Sequence, residues 1–251
     1  MRVAFQAFVV IACWMWGVQP SLAADILVVG AEFAQIYERN ETGEFTGLGV
    51  EILRSMARQN GDTLSFQILP WARAQKMVET NQAQILVGPY KTADRETRFV
   101  FAEKAFYRDD MVFYALKLAK FQWDGSYSAL QDKRIGVING WAYGAQFEEQ
   151  RKTMKIESAN SLRNALLMLK AKHIDVLASN VRNTEALLNS LDLAKDISAV
   201  ANVIDNQDGY FAYCKHVSCD QLRVRFDSLF ARLKESGELA KMAQTFKLRL
   251  P

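Results

Sequence analysis

Short apolar runs alternate with amphipathic stretches along the chain from residue 25 onward. The apolar runs are rich in Ile, Leu and Val and are followed by Gly or Pro, a pattern typical of strands buried on both faces. The stretches between them carry apolar residues at helical spacing. In the first part of the chain this pattern predicts strands at 26–30, 63–69 and 85–88, the last closed by Pro89, and helices at 50–60 and 72–80.

The same pattern restarts after residue 117. It predicts strands at 134–138, 174–178 and 210–214, and helices at 162–172, 184–191, 221–235 and 238–246. Strands that alternate with helices favour parallel sheets covered by helices on both faces.

The restart indicates an α/β protein of two lobes joined by two hinge strands. We expect residues 24–113 and 205–251 in the first lobe and residues 114–204 in the second. The predicted hinges lie near 111–116 and 200–213. Because ligands of open α/β sheets lie beyond the carboxyl ends of the strands, a cleft is expected between the lobes.

The N-terminal segment has the pattern of a secretory signal peptide. One positive charge precedes an apolar stretch at 3–18, which is shorter than the roughly 20 residues that span a bilayer. Ser21 and Ala23 form a small-x-small cleavage site, so residues 1–23 are predicted to be removed on export to the periplasm. Two alternatives remain open, an uncleaved membrane anchor and a lipid attached to Cys13.

Two of the three cysteines remain after that cleavage, Cys214 and Cys219. In an oxidising compartment an even pair this close in sequence predicts a disulfide, and two free thiols are the alternative. The histidines are His173 and His216, and no second cysteine pair accompanies them, which is too few ligands for a zinc site. No metal or cofactor is therefore predicted.

Composition and motifs narrow the class of function. The chain is 50% hydrophobic and 24% charged, as in globular proteins, and its formal net charge is only +3 without a basic run. Binding to nucleic acid is therefore not predicted. The sequence also lacks a Gly-rich phosphate loop, a His-Glu-x-x-His spacing and a Gly-x-Ser-x-Gly elbow. These absences favour binding over catalysis.

Three loops fall where predicted strands end or helices begin, and they carry polar and aromatic side chains suited to a ligand. They lie at 32–37, 70–74 and 88–95. Their candidate ligand-binding residues are Glu32, Tyr37, Trp71, Arg73, Tyr90 and Arg95.

Arg95 is the candidate with the most specific chemistry. A guanidinium can grip a carboxylate through two parallel N–H bonds, which an ammonium cannot do. Thr92 could cap the short helical turn that carries Arg95. The alternative for Arg95 is a solvated ion pair with Asp94 or Glu96. For Trp71 and Tyr37 the alternative to stacking on a ligand is packing in the core.

Several segments in order resemble the bacterial extracellular solute-binding proteins of family 3, the polar amino acid type, in a divergent branch. They are a turn and helix start at 43–47 and 50–53, a strand with a Thr-x-x-Arg segment at 85–88 and 92–95, an apolar segment at 99–102, the second-lobe strand at 134–140, and terminal helices at 236–239 and Phe246. The resemblance implies the two-lobe fold of the periplasmic binding proteins, of type II.

The resemblance also implies roles for individual residues. Arg95 would bind a ligand carboxylate, and Tyr90 would lie where the family often has a small hydroxyl residue. The loop after the second-lobe strand would contribute Trp141 and Tyr143, where the family usually has hydroxyl residues. The position of the family's acidic partner for an amino group falls on Asn180, which carries no charge.

These features predict a monomeric periplasmic protein that captures a small polar, carboxylate-bearing ligand for an inner-membrane ABC permease or a receptor. Because an ammonium would lack an acidic partner at Asn180, standard amino acids are expected to bind weakly, and a carboxylate with a flat or apolar body better. The alternative is that Glu32 supplies the acidic partner from the first lobe. Two other classes remain open. One is a dehydratase-like enzyme on the same fold, with Glu32 as its acid–base candidate, and the other is an accessory protein that binds another protein.

Overall fold

The computed structural model of this protein describes residues 24–251, so the predicted signal peptide and Cys13 lie outside the described residues. Within that range no helix combines the length and the apolar composition needed to cross a membrane.

The strands are β1 (Asp25–Gly30), β2 (Glu38–Arg39), β3 (Phe45–Thr46), β4 (Thr63–Ile68), β5 (Ile85–Tyr90), β6 (Val100–Phe101), β7 (Tyr107–Leu116), β8 (Arg134–Ile138), β9 (Lys155–Ala159), β10 (Val176–Asn180) and β11 (Ile197–Tyr213). The helices are α1 (Leu48–Asn60), α2 (Trp71–Glu79), α3 (Ala93–Arg98), α4 (Ala145–Gln150), α5 (Leu162–Lys170), α6 (Val181–Ser190), α7 (Val217–Glu235) and α8 (Glu238–Thr245).

Nine of these strands form one sheet in the order β4-β1-β5-β11-β7-β10-β8-β9, with β6 also on β11. Strand β1 is parallel to β4 and β5, and β8 is parallel to β9 and β10. The two central strands, β7 and β11, run antiparallel to each other and to their outer neighbours. The sheet is therefore mixed, and the prediction of parallel pairing holds only in its two outer parts. The centre is antiparallel because β7 leads into the second half of the structure and β11 leads back.

We call β1, β4 and β5 with α1, α2, α3, α7 and α8 the first lobe. We call β8, β9 and β10 with α4, α5 and α6 the second lobe. Strands β7 and β11 are the hinge strands, because both run from one lobe to the other. The residue boundaries that the sequence predicts for the lobes stay a prediction.

Strand β5 corrects one sequence-based boundary. Pro89 does not close this strand, which continues to Tyr90. A proline is tolerated here because the pairing with β11 is irregular between Gly209 and Phe211, where a regular ladder would need its missing N–H. The extension carries Tyr90 to the edge of the sheet that faces the second lobe.

Two elements in the second lobe begin elsewhere than predicted. Strand β10 continues to Asn180, and α6 begins directly after it at Val181. Helix α4 and the edge strand β9 were not predicted, because both are short and polar and show no clear apolar period. The predicted strand at 210–214 is the end of the long hinge strand β11.

The helices form where apolar residues recur on one side and suitable caps end them. In α1, Ile52, Leu53 and Met56 are fully or almost fully buried against the sheet. Gly61 follows the helix with φ 77°, and its N–H donates to the carbonyl of Ala57. This left-handed cap favours glycine and stops the helix before β4.

Tyr107 fixes the start of the first hinge strand. A Cβ at Gly209 would lie 1.9 Å from the Tyr107 ring, so only glycine lets β11 pass this close. The Tyr107 hydroxyl donates to the carbonyl of Gly88 at 2.7 Å. The Tyr107 ring is thereby held next to Gly88 and Tyr90 at the end of β5.

The predicted disulfide is confirmed. Cys214 and Cys219 are bonded, with their Cα atoms 5.6 Å apart, and both are buried. The bond joins the end of β11 to the first turn of α7. It therefore anchors the returning hinge strand to the first lobe.

Candidate functional site

A small cavity lies where the two lobes meet at the carboxyl ends of their strands. Its volume is about 10 Å³, which is room for one water molecule. The cavity is lined by Phe33, Trp71, Gly88, Tyr90, Arg95, Trp141, Ala142 and Asn180. Five of the predicted ligand-binding residues are thus brought together, although contact with a ligand stays a prediction for each of them.

Arg95 is turned inward by the short helix α3. As predicted, the Thr92 hydroxyl accepts the backbone N–H of Arg95, at 3.2 Å, and caps the helix. The Arg95 side chain then points toward the other lobe, and the residue is only 4% exposed.

The Arg95 guanidinium is held by neutral groups. Its two terminal nitrogens donate to the carbonyls of Tyr90 and Gly140, each at 2.8 Å, and it lies 5.6 Å over the Trp71 ring. Among the described residues no carboxylate lies within salt-bridge distance of it. Burial, together with the nearby Arg98, lowers the pKa of Arg95 to about 10. A buried cation of this kind would be stabilised by an anion.

The alternative of a solvated ion pair for Arg95 is wrong. Asp94 pairs instead with Arg98 at 2.7 Å, and Glu96 pairs with Lys91 at 3.3 Å. Both acidic side chains lie on the outer side of α3, because the helical rotation directs positions 94 and 96 away from Arg95.

Trp71 and Arg95 converge on one acceptor of the second lobe. The indole Nε1 of Trp71 donates to the Gly140 carbonyl at 3.0 Å, beside the bond from Arg95. Gly140 has φ 76°, in the left-handed region, and a Cβ there would lie 3.4 Å from the Trp71 ring. The carbonyl of Gly140 therefore occupies the place where two donors of the first lobe could hold a ligand oxygen.

Tyr90 connects the cavity to a buried carboxylate on the first hinge strand. Its hydroxyl donates to Asp109 at 2.7 Å, and the amide nitrogen of Asn180 donates to that hydroxyl at 3.4 Å. Burial and the neighbouring Asp109 raise the pKa of Tyr90, so the hydroxyl stays protonated. Asp109 is 3% exposed.

Arg182, in the first turn of α6, neutralises Asp109. Its Nε and one terminal nitrogen donate to the two carboxylate oxygens, at 3.0 and 2.7 Å. Its other terminal nitrogen donates to the Ala34 carbonyl and, at 3.0 Å, to the side chain of Asn183. The Arg182 side chain is 7% exposed. Although burial opposes its charge, Asp109 raises the pKa of Arg182 above its ordinary value.

Asn180 has a structural role in addition to its place in the cavity wall. Its side-chain oxygen accepts the backbone N–H of Asn183 at 2.9 Å and caps α6. Asn is among the favoured residues at such a cap. The Asn180 oxygen therefore already accepts one bond, and the side chain carries no charge that could pair with an ammonium.

The structure corrects the prediction for two aromatic residues. Tyr37 is fully buried. Its hydroxyl donates to the carbonyl of Val28 at 3.0 Å and accepts the N–H of Gln67 at 3.1 Å, both within the first lobe. Tyr143 is also fully buried, and its hydroxyl accepts the N–H of Ile138 at 2.6 Å. Both rings pack in the core because their hydroxyls find backbone partners there.

Glu32 and Arg73 are close in sequence to the cavity residues Phe33 and Trp71, but neither forms part of the cavity wall. Both are exposed, and neither lines the cavity. Arg73 lies in the first turn of α2, two residues after Trp71, so a helical rotation separates their directions.

Sequence reasoning missed Phe33, Asp109 and Arg182. Phe33 follows β1, and its ring packs edge-on against Trp71 with centroids 5.5 Å apart. The charged residues directly before the apolar run at 111–116 were the available signal for Asp109. Nothing in the local sequence marks Arg182, which is separated from Asp109 by 73 residues.

The fold defines the class of protein. The chain has the fold of the periplasmic binding proteins, as solved structures of that kind superpose over most of its length. A histidine kinase sensor domain with similarity to periplasmic binding proteins matches with a TM-score of 0.80 and 16% identity, covering 90% of this chain and 98% of the other. A substrate-binding protein of an ABC uptake transporter from Streptococcus pneumoniae, with bound histidine, matches with a TM-score of 0.75 and 16% identity, covering 88% and 92%.

The resemblance to family 3 is confirmed for the first part of the chain. Residues 27–120 match the model of the bacterial extracellular solute-binding proteins, family 3. An arginine-binding periplasmic protein of Mannheimia haemolytica is 23% identical over 225 residues, which cover 88% of this chain and 90% of that relative.

Proposed function

We propose that this chain is a periplasmic solute-binding protein that captures a small carboxylate-bearing molecule between its lobes. It would pass the ligand to an inner-membrane ABC permease or report it to a receptor. The fold, the family 3 match and the disulfide, which suits an oxidising compartment, support this proposal. The chain is similar both to a sensor domain and to a transporter component, so both delivery to a permease and signalling to a receptor are proposed.

One observation carries the proposal: the guanidinium of Arg95 is buried, and no carboxylate of residues 24–251 pairs with it. Removing a cation from water is costly unless it is paired, and here only two carbonyls and an indole face compensate. A ligand carboxylate that replaced the Gly140 carbonyl would supply the missing charge. It would also accept the N–H of Trp71, which already points to that place.

The described conformation is closed, and ligand entry requires it to open. A cavity of about 10 Å³ cannot hold an organic acid. We infer that the second lobe moves away from the first by bending at β7 and β11, which breaks the two bonds to Gly140. Closure of two domains around a ligand by such hinges is a well-established mode of binding.

The surroundings of Arg95 favour a carboxylate with a flat or apolar body over a standard amino acid. The cavity wall is aromatic at Phe33, Trp71 and Trp141. Asn180 is uncharged and its oxygen already accepts the bond of its helix cap, and the charge of Asp109 is neutralised by Arg182. A ligand ammonium would therefore be buried without an opposite charge of its own, which is costly.

The enzyme alternative lacks support at its candidate residue. Glu32, the acid–base candidate, is exposed and lies outside the cavity wall. The family 3 match also favours a solute-binding protein over an enzyme.

The first prediction tests the role of Arg95. Replacement by Ala should weaken the binding of a carboxylic acid at least tenfold, because hydrogen bonds to charged groups contribute about 1.5–3 kcal/mol and about 1.4 kcal/mol is one decade of affinity. Calorimetric titration with a panel of small organic acids measures this. Arg163→Ala, which removes an exposed arginine from α5, is the matched control and should bind like the wild type. Equal affinity of the folded Arg95→Ala protein would remove the basis of the proposal.

A further inference from the structure

A guanidinium pocket beside the ligand cavity is already filled by the chain itself. The guanidinium of Arg182 makes a two-point contact with Asp109 and lies 5.2 Å from the Tyr107 ring and 6.0 Å from the Phe33 ring. It also donates to the Ala34 carbonyl. The carboxylate neutralises the charge of a planar cation and, with the carbonyl, accepts its N–H groups. The two aromatic rings contact its flat face.

The groups that form this pocket and the group that fills it come from different parts of the fold. Phe33 and Ala34 follow β1 of the first lobe, and Tyr107 and Asp109 begin the hinge strand β7. Arg182 belongs to α6 of the second lobe. Closure of the lobes therefore inserts an arginine side chain of one lobe into a pocket of the other, as a ligand would be inserted.

The pocket adjoins the cavity beside Arg95. Phe33 contributes to both, and the Tyr90 hydroxyl in the cavity wall donates to Asp109. On its other side Arg182 borders an open groove of about 620 Å³, which Ala34 and Asp109 also line. Arg182 thus lines the outer groove, and its guanidinium also faces Phe33 of the inner cavity.

We propose that Arg182 is a specificity-determining residue that occupies a guanidinium-binding pocket and so excludes ligands with a cationic head from the cleft. The ligand class that remains, a carboxylate with an uncharged body, rests on the proposed function. The existence of the pocket does not depend on the proposed function, because the hydrogen bonds of Arg95 involve neither Arg182 nor Asp109.

The test vacates the pocket and offers it small guanidinium compounds. Arg182→Ala should unfold at a lower temperature than the wild type because Asp109 is left buried without its partner. Millimolar methylguanidinium or agmatine should bind this variant saturably, at least tenfold more tightly than the wild type, and should restore part of the lost unfolding temperature. Should the variant fail to fold alone, methylguanidinium must restore its folded circular dichroism spectrum.

Two controls make the result specific. Arg134→Ala removes another arginine that is bonded to a carboxylate, Asp175, but at the surface, and should gain no binding of methylguanidinium. Adding Asp109→Asn to Arg182→Ala should abolish the gained binding, because the carboxylate fork is lost.

Two outcomes would overturn the proposal. The first is an Arg182→Ala protein that neither binds methylguanidinium or agmatine nor regains its fold with them. The second is micromolar binding of L-arginine to the wild type. Neither compound used on the variant has a carboxylate, so a failure of the Arg95 site would appear separately, as absent binding of organic acids to the wild type.

Discussion

Two buried arginines face the region between the lobes, and their partners give them different roles. Arg182 is neutralised by Asp109, whereas Arg95 is held only by carbonyls and an indole face. The pKa of Arg95 is accordingly lowered to about 10, mainly by burial, while that of Arg182 is raised by Asp109 despite burial. The unpaired cation is the one suited to bind an anion.

A prediction at the scale of single residues concerns the bond from Trp71 to Gly140. Trp71→Phe keeps an aromatic ring but removes the N–H that links the lobes. A hydrogen bond of this kind contributes about 1 kcal/mol, so the ratio of open to closed molecules should rise about fivefold without ligand. Single-molecule energy transfer between dyes at the exposed positions 58 and 163 measures this ratio.

Trp123→Phe is the matched control for that measurement. The Trp123 indole donates to the carbonyl of Ser126, three residues away, so the bond does not link the lobes. This variant should leave the ratio of open to closed molecules unchanged. An unchanged ratio in Trp71→Phe would show instead that the bond to Gly140 does not hold the closed form.

The sequence reveals residues whose role is signalled locally and misses those whose role is set by distant partners. Arg95 was found because Thr92 and the strand before it mark a loop at the edge of a sheet. Asp109 and Arg182 were missed because the fold alone brings their charges together across 73 residues. Tyr37 and Tyr143 were misassigned because local sequence does not reveal where a hydroxyl will find backbone partners.

At the scale of secondary structure elements, the sequence predicts those whose packing imposes a period. Helix α1 and the buried strand β1 were predicted because one face or both faces enter the core. The edge strand β9 was missed because its exposed, polar residues need not alternate. The mixed direction of the sheet was missed because pairing partners depend on how the hinge strands cross, which no local pattern encodes.

A prediction at this scale concerns the disulfide that joins β11 to α7. Replacing both Cys214 and Cys219 by Ala should lower the free energy of unfolding by about 2 kcal/mol, since a small loop restricts the unfolded chain only modestly. Urea unfolding followed by circular dichroism measures the change. The fold should persist, because the buried core around these residues remains. Equal midpoints for the variant and the oxidised wild type would contradict a stabilising role.

At the scale of the whole molecule, two lobes share one sheet whose centre consists of the hinge strands. Two sets of hydrogen bonds connect the lobes at two sides of the cleft. In the first set Trp71 and Arg95 donate to the Gly140 carbonyl. In the second set Arg182 donates to the Ala34 carbonyl, and the Ala34 N–H donates to the side chain of Asn183. Opening the molecule breaks both sets. A ligand carboxylate can replace the Gly140 carbonyl as the acceptor of the first set. In the second set the cation that enters the pocket is Arg182 of the chain itself.

The central claim is that Arg95 holds a ligand carboxylate between the lobes. Trp71 and Trp141 lie in the cavity wall, so their fluorescence reports binding there. The most direct measurement titrates the wild type and Arg95→Ala with small aromatic and aliphatic acids and with the carboxamide of each acid. We expect an acid to bind the wild type saturably and at least tenfold more tightly than its carboxamide, and this preference to vanish in Arg95→Ala. An acid and carboxamide that bind the wild type equally well, or a preference that survives in Arg95→Ala, would contradict the claim.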